Sequence, residues 1–225
     1  MKNPVSVAVD IVIFAVREGR LKVLLVKRGI PPFEGRIAIP GGFLQEAEDL
    51  EAAARRELKE ETGVSGVYLE QLCTFGAPRR DPRGRVLSVC YMALVPPDRG
   101  LTPAAGGDAQ AASWFDAHEP PDLAFDHSEI LDYARQRLRW KLEWTTAAFA
   151  LLPARFTLTE LQKVYEAVLK RPIDKRNFRR KVLSLEVLKP TKEFRAEGLP
   201  RPAQLFEFSA ARFEKLRDRG VLFPF

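Results

Sequence analysis

At 225 residues with 46% hydrophobic side chains, the chain is long enough for two domains, each with its own core. No apolar run reaches the length of a membrane span, and the start MKNPVSVAVD has no basic stretch ahead of a long apolar one, so no signal peptide and a cytoplasmic protein are expected. The formal charge of +6 is uneven: from Leu151 onward 17 Lys and Arg stand against 9 Asp and Glu, a net of +8, leaving 19 against 21 before it, a net of −2.

The chain opens on apolar, β-branched runs, Val5–Val16 and Leu21–Val26, with turn residues Arg17 to Arg20 between them; this predicts a hairpin or adjacent strands. The following RGIPPFEGRIAIPGGF reads as a loop, a short strand over Arg36–Ile39 and a tight approach to what comes next. Gly41 and Gly42 supply backbone freedom there and let a metal or phosphate come close to the main chain. Arg28 and Arg36 are either diphosphate contacts or ordinary charges at strand ends.

The stretch GFLQEAEDLEAAARRELKEETGV, Gly42–Val64, predicts a helix whose buried stripe is Leu50, Ala53, Ala54 and Leu58, with Gly63 as its stop. Positions 57 and 61 continue that stripe and should be apolar. They are Glu57 and Glu61, with Glu60 beside them. Three carboxylates on one patch repel, and burying them uncompensated is costly. A hard divalent cation, Mg²⁺ or Mn²⁺, removes the conflict by taking carboxylate oxygens and sharing its other positions with water and phosphate. The residues Gly42, Glu48, Arg56, Glu57, Leu58, Glu60, Glu61, Gly63 and Val64 stand at the spacing of the Nudix box, and the stretch resembles that box without departure. The resemblance implies a catalytic set of Glu48, Arg56, Glu57, Glu60 and Glu61, with Glu57, Glu60 and Glu61 holding metal and Arg56 orienting Glu48 and Glu60.

Beyond the box, Gly66–Phe75 and Val86–Val95 read as strands, and the basic loop GAPRRDPRGR between them is long enough to reach over a ligand, Arg80 being the candidate contact; a plain hairpin tip is the alternative. Cys73 and Cys90 match no metal spacing and are expected as reduced packing residues. Pro96–Gly107 is a connector and Ala112–Phe115 a short strand. A helix is predicted from Asp126, which with Glu129 imitates a capping box; His127 in its first turn is expected to cap or pack, the alternative being a catalytic histidine, for which the sequence names no partner. Pro153 marks a boundary, giving domains 1–150 and 151–225.

In the basic third, Thr157 and Glu160 form a capping box ahead of a helix that buries Leu161, Val164, Tyr165 and Val168. A second helix starts near Asp174, with an apolar stripe of Phe178, Val182 and Leu185. Opposite lie Arg176, Asn177, Arg180 and Ser184, flanked by Lys175, Arg179 and Lys181. Two helices across a short turn, the second with a basic, amide-bearing outer face, follow helix-turn-helix logic. Strands over Val187–Arg195 and Arg201–Phe208, joined through Gly198-Leu199-Pro200, would make a wing, and Arg212–Asp218 a last helix.

The run FTLTELQKVYEAVLKRPIDKRNFRRKVL, with LAFDHSEIL upstream and RPAQLFEFS downstream, resembles the Nudix-related transcriptional regulators of NAD metabolism along essentially the whole chain. That resemblance implies an α/β Nudix fold, a mixed sheet between helices, followed by a winged helix-turn-helix. It further implies a homodimer on a palindromic double-stranded DNA operator, a sensor of ADP-ribose or a related NAD-derived nucleotide, and Lys175, Arg176, Asn177, Arg179 and Arg180 as the DNA-facing set. The intact box adds hydrolysis of the ligand. The alternative is a Mg-dependent ADP-ribose pyrophosphatase whose C-terminal domain serves dimerisation. An RNA-directed hydrolase fits less well, because no clustered aromatic stacking platform is legible.

Overall fold

The β-branched run at the front of the chain becomes the middle of a seven-stranded sheet in the computed structural model, which describes residues 5–98, 109–196 and 202–217. β1 (Ser6–Arg17) lies between β2 (Arg20–Arg28) and β6 (Val86–Val95), with β3 (Ile37–Ala38) and β5 (Tyr68–Phe75) outside them. β4 (Gly41–Phe43) also pairs with β1, and β7 (Ala109–Asp116) with β2. β1 and β6 run parallel from Ser6 opposite Val86 to Ala15 opposite Val95, whereas β4, β3, β7 and β5 pair antiparallel with their neighbours, so the sheet is mixed as expected. Glu18 and Gly19 turn β1 into β2 with φ of 52° and 71°, the positive pair a two-residue hairpin requires.

α1 (Leu50–Thr62) follows β4. Asp49 caps it by accepting from the Ala52 amide at 2.8 Å, and Gly63 ends it at φ 70° with its amide donating to the Lys59 carbonyl. Its stripe of Ala53, Ala54 and Leu58 packs on Val9, Ile11 and Ile13 of β1 and on Val89 and Tyr91 of β6. Alternation along β1 turns Asp10 to the other side, where α2 (His127–Trp144) begins. The sheet thus has a helix on each side of its central strand. The predicted cap at Asp126 is not used: both of its carboxylate oxygens accept from Arg80, because a guanidinium is a stronger partner than a backbone amide. Cys73 and Cys90, opposite one another on β5 and β6, are free thiols.

The chain divides into two compact units. The first ends at Arg137, and the second takes Leu138 onward together with Val16–Arg20 and Pro96–Asp98. In the second, the short α3 (Ala147–Ala150) precedes α4 (Leu158–Leu169) and α5 (Lys175–Ser184); β8 (Leu188–Arg195), β9 (Ala203–Phe208) and α6 (Ala210–Arg217) follow. The capping box of α4 is complete, Thr157 accepting from the Glu160 amide and Glu160 from the Thr157 amide. α4 buries Leu161, Val164, Tyr165 and Val168 and meets α5 through an edge-on contact of Tyr165 with Phe178, centroids 5.5 Å apart. Phe156 exchanges backbone hydrogen bonds with Phe206 and so fastens the start of α4 to the β8–β9 hairpin. Helix, turn, helix and hairpin make the winged helix that was expected. Leu185 departs from the predicted stripe: α5 ends at Ser184, Leu185 caps it half-buried, and Val187 fills the core instead. The connector beyond Asp98, Gly198-Leu199-Pro200 and Asp218 lie outside the described residues.

Candidate functional site

The Nudix-like box folds around one arginine. Arg56 donates through Nε and Nη2 to both oxygens of Glu48, at 2.9 and 2.7 Å, and through Nη1 to Glu57 at 2.6 Å and Glu60 at 3.1 Å. Nη2 also reaches the Phe43 carbonyl at 3.3 Å. The sequence expectation joined Arg56 to Glu48 and Glu60; the structure adds Glu57. Bidentate pairing holds the Glu48 carboxyl below its ordinary pKa, whereas burial pushes that of Glu57 up against the pull of Arg56. Glu57 and Glu61 are 8% and 5% exposed, so the two glutamates that interrupt the stripe are indeed buried. Glu61 accepts from the Gly41 amide at 2.9 Å.

Gly41 and Gly42 are required for a different reason from the one expected. Both sit in a regular strand, so conformational freedom is not what they supply. A Cβ on Gly42 would come within 2.0 Å of Glu57 Oε1, and one on Gly41 within 2.2 Å of the Val9 carbonyl oxygen. Only a missing side chain lets the backbone lie directly against the buried carboxylates.

These groups face a cavity of about 250 Å³. Glu57, Glu60, Glu61, Gly41, Gly42, Arg28 and Arg80 all line it; Arg36 is exposed and is not one of its walls. In kind, the donors suit a hard divalent cation: three carboxylates from adjoining turns open on one space. Among the described residues, however, no three His, Cys, Asp or Glu side chains are gathered closely enough to hold a metal ion. Arg56 draws Glu57 and Glu60 to itself, one cation shared with Glu48 among three carboxylates.

The opposite wall was not legible in the sequence. Arg80 is buried and grips Asp126 through two hydrogen bonds of 2.8 and 2.6 Å, with Asp10 3.6 Å from its Nη2. Ser88 donates to Asp10. His127 accepts the Ile39 amide on Nδ1 at 2.9 Å, which leaves its proton on Nε2, 3.7 Å from Asp10; burial keeps its pKa low and the ring neutral. His127 is therefore a packing histidine, as expected, but one that fixes Ile39, just after β3, to the start of α2 beside the cavity. The only sequence signal for Asp10 was a lone carboxylate in an otherwise apolar strand. At the mouth, the Arg83 guanidinium lies over the ring of Phe43 at 4.8 Å and that of Phe125 at 5.8 Å, while Arg28 covers Phe125 at 4.9 Å.

In the second unit, α5 is capped by Asp174, which accepts from the Asn177 amide at 2.8 Å. Phe178 and Val182 are buried, and Lys175, Arg176, Asn177 and Arg180 are exposed on its outer side. Arg180 donates to the Asn177 side chain at 2.9 Å. Arg179 is half-buried and reaches back to Thr159 of α4 at 3.1 Å, so four of the five predicted residues present themselves to solvent and the fifth braces the two helices.

Comparison with known proteins gives the same two parts. Residues 5–134 match the NUDIX domain model and residues 148–208 the NrtR DNA-binding winged helix domain. The ADPR responsive transcriptional repressor NtrR of Acinetobacter baylyi is 36% identical over 220 residues, spanning 96% of this chain and 87% of that protein. An ADP-ribose pyrophosphatase of Methanocaldococcus jannaschii is 43% identical over 137 residues, 60% of this chain and 75% of that one. The crystal structure of Shewanella oneidensis NrtR complexed with a 27mer DNA superposes with a TM-score of 0.79 at 36% identity, over 92% of this chain and 95% of that one.

Proposed function

The chain belongs to the Nudix family, in the branch that carries an NrtR DNA-binding winged helix domain, and from that premise we propose that it is a DNA-binding transcriptional regulator that senses ADP-ribose or a related NAD-derived nucleotide. The observation that carries this reading is the presence, in one chain similar along its length to an ADPR responsive repressor, of a carboxylate-lined cavity and a helix with a basic, solvent-facing side. The nucleotide enters the cavity of the Nudix domain, residues 1–150. Lys175, Arg176, Asn177 and Arg180 of the winged helix, residues 151–225, meet DNA, with arginine gripping phosphate or guanine and Asn177 suited to adenine. A homodimer would pair two such helices on a palindromic operator. No helix among the described residues is long and apolar enough to cross a membrane. An electrophoretic shift on the DNA upstream of the protein's own gene tests this: selective binding relieved by ADP-ribose is expected, and binding equal on every sequence would reduce the back third to bulk electrostatics.

Hydrolysis is the second reading, favoured by the complete set of Glu48, Arg56, Glu57, Glu60 and Glu61 on one network. Glu57, Glu60 and Glu61 would hold Mg²⁺ or Mn²⁺, Glu57 and Glu60 in exchange for their contacts with Arg56. When bound, such a cation neutralises diphosphate charge and acidifies the attacking water. Arg56 keeps Glu48 ionised and holds Glu57 and Glu60; Gly41 and Gly42 let the strand lie directly against Glu57 and the Val9 carbonyl. AMP release from ADP-ribose, present in the wild type and absent in Glu61→Gln, is the expected result. Equal turnover in both would remove Glu61 from the mechanism.

A further inference from the structure

The mouth of the cavity carries a feature that neither the carboxylates nor the DNA-binding helix explains. Phe43 is 40% exposed, although it lies one residue from Gly42 and directly over the box. Across from it stands Phe125, turned toward the cavity by a backbone at φ 53°, a conformation a phenylalanine adopts only where its surroundings impose it. Phe33, also at positive φ (61°), braces Phe125 edge-on at 4.7 Å. The guanidinium of Arg83 lies over both rings, 4.8 Å from Phe43 and 5.8 Å from Phe125, held by three hydrogen bonds to Asp81 of 3.0, 3.3 and 2.7 Å, and that of Arg28 covers Phe125 as well, at 4.9 Å.

Two rings that share one planar cation at the cavity mouth offer stacking faces to a planar ring. We propose that Phe43 and Phe125 receive the aromatic base of the nucleotide, which takes the place of the Arg83 guanidinium. This deepens the nucleotide-sensing reading and rests on it. A base stacks on a phenyl ring more strongly than a partly hydrated guanidinium does, so the exchange favours the ligand. Arg83 is 40% exposed and faces solvent on its outer side, so its guanidinium turns off the rings while keeping a bond to the buried Asp81 carboxylate, which is 3% exposed. Phe43 also fixes the direction of the ligand. Its backbone carbonyl accepts from Arg56 and its neighbour Gly42 touches Glu57, so a base on its ring projects the attached diphosphate over the glutamates.

The test titrates the full-length chain with ADP-ribose by calorimetry and with its 1,N6-ethenoadenine analogue by fluorescence. Binding is expected to quench the etheno ring by stacking. Phe43→Ala should weaken both ligands by roughly tenfold and remove most of the quenching. Phe43→Trp should restore both, and Phe125→Leu, which keeps bulk without an aromatic face, should behave as Phe43→Ala does. Arg83→Ala removes the guanidinium shared by the two rings and should tighten binding. Wild-type affinity and undiminished quenching in both phenylalanine variants would overturn the proposal. So would lost binding in Arg83→Ala beside an unaffected Phe43→Ala, the mark of a charge contact to phosphate. If the wild type ignores ADP-ribose but quenches etheno-AMP in a Phe43-dependent way, the stacking site stands and ADP-ribose sensing falls; if it quenches neither, both fall.

Discussion

α1 and α5 are both short amphipathic helices dense in charge, and they handle that charge in opposite ways. α1 turns Glu57 and Glu61 inward, where they are 8% and 5% exposed, and binds Glu48, Glu57 and Glu60 to a single arginine. α5 keeps Lys175, Arg176 and Arg180 in water and buries only Phe178 and Val182. Buried charge must be paired, so each partner on α1 is fixed by another and the geometry is set before any ligand arrives. Exposed charge needs no partner, so the outer side of α5 is constrained only by the stripe beneath it and remains free to meet phosphates. Burial fixes the arrangement of charge on α1; solvation leaves that of α5 adjustable.

The contrast can be broken most severely from beneath α5. Phe178 is 1% exposed and carries the contact with Tyr165, and Phe178→Ala should cost about 4 kcal/mol of stability and DNA binding with it, read from the urea transition of the winged helix. Next comes the hub of α1: Arg56→Ala leaves Glu57 buried without its cation and should cost about 3 kcal/mol, read from the transition of the Nudix domain.

A smaller effect of opposite sign sharpens the comparison. Because burial raises the folded-state pKa of Glu57 above its unfolded value, the folded form holds the proton more tightly, and stability falls as pH climbs through the interval between the two. Glu57→Gln should therefore be more stable than wild type at pH 7, with the difference vanishing near pH 3.5 where both forms are neutral; an unchanged urea midpoint at pH 7 would show that Arg56 fully compensates the buried charge. The smallest effect on stability belongs to the exposed side of α5. Arg176→Ala should stay within about 0.5 kcal/mol of wild type, yet lower the slope of log binding constant against log salt by about 1 if the residue meets one phosphate.

What the chain's own order of residues determined was local. Asp49, Thr157, Asp174 and Gly63 cap or stop their helices because a cap needs only a side chain three residues from an amide, or a glycine where φ turns positive. The glutamates of α1 were legible because 57, 60 and 61 share one side of a helix where the apolar stripe should continue, whereas Glu48, ahead of the cap, and its tie to Arg56 came from the resemblance to the Nudix box. The apolar stripe beneath α5 was legible as far as Val182, where the helix keeps its period. The pairing of Arg80 with Asp126, 46 residues apart, of Ser88 with Asp10, 78 apart, and of Ile39 with His127, 88 apart, was not. Those distances close only because the parallel β1–β6 pair brings Asp10 beside Ser88 and the start of α2 comes to that same side of the sheet. Tertiary structure likewise kept Arg36 off the cavity wall, turned Arg179 back to Thr159, and brought Arg83 over the rings of Phe43 and Phe125. Periodicity places a side chain on one side of its own element; which other element that side meets depends on strand order, and no local spacing carries it.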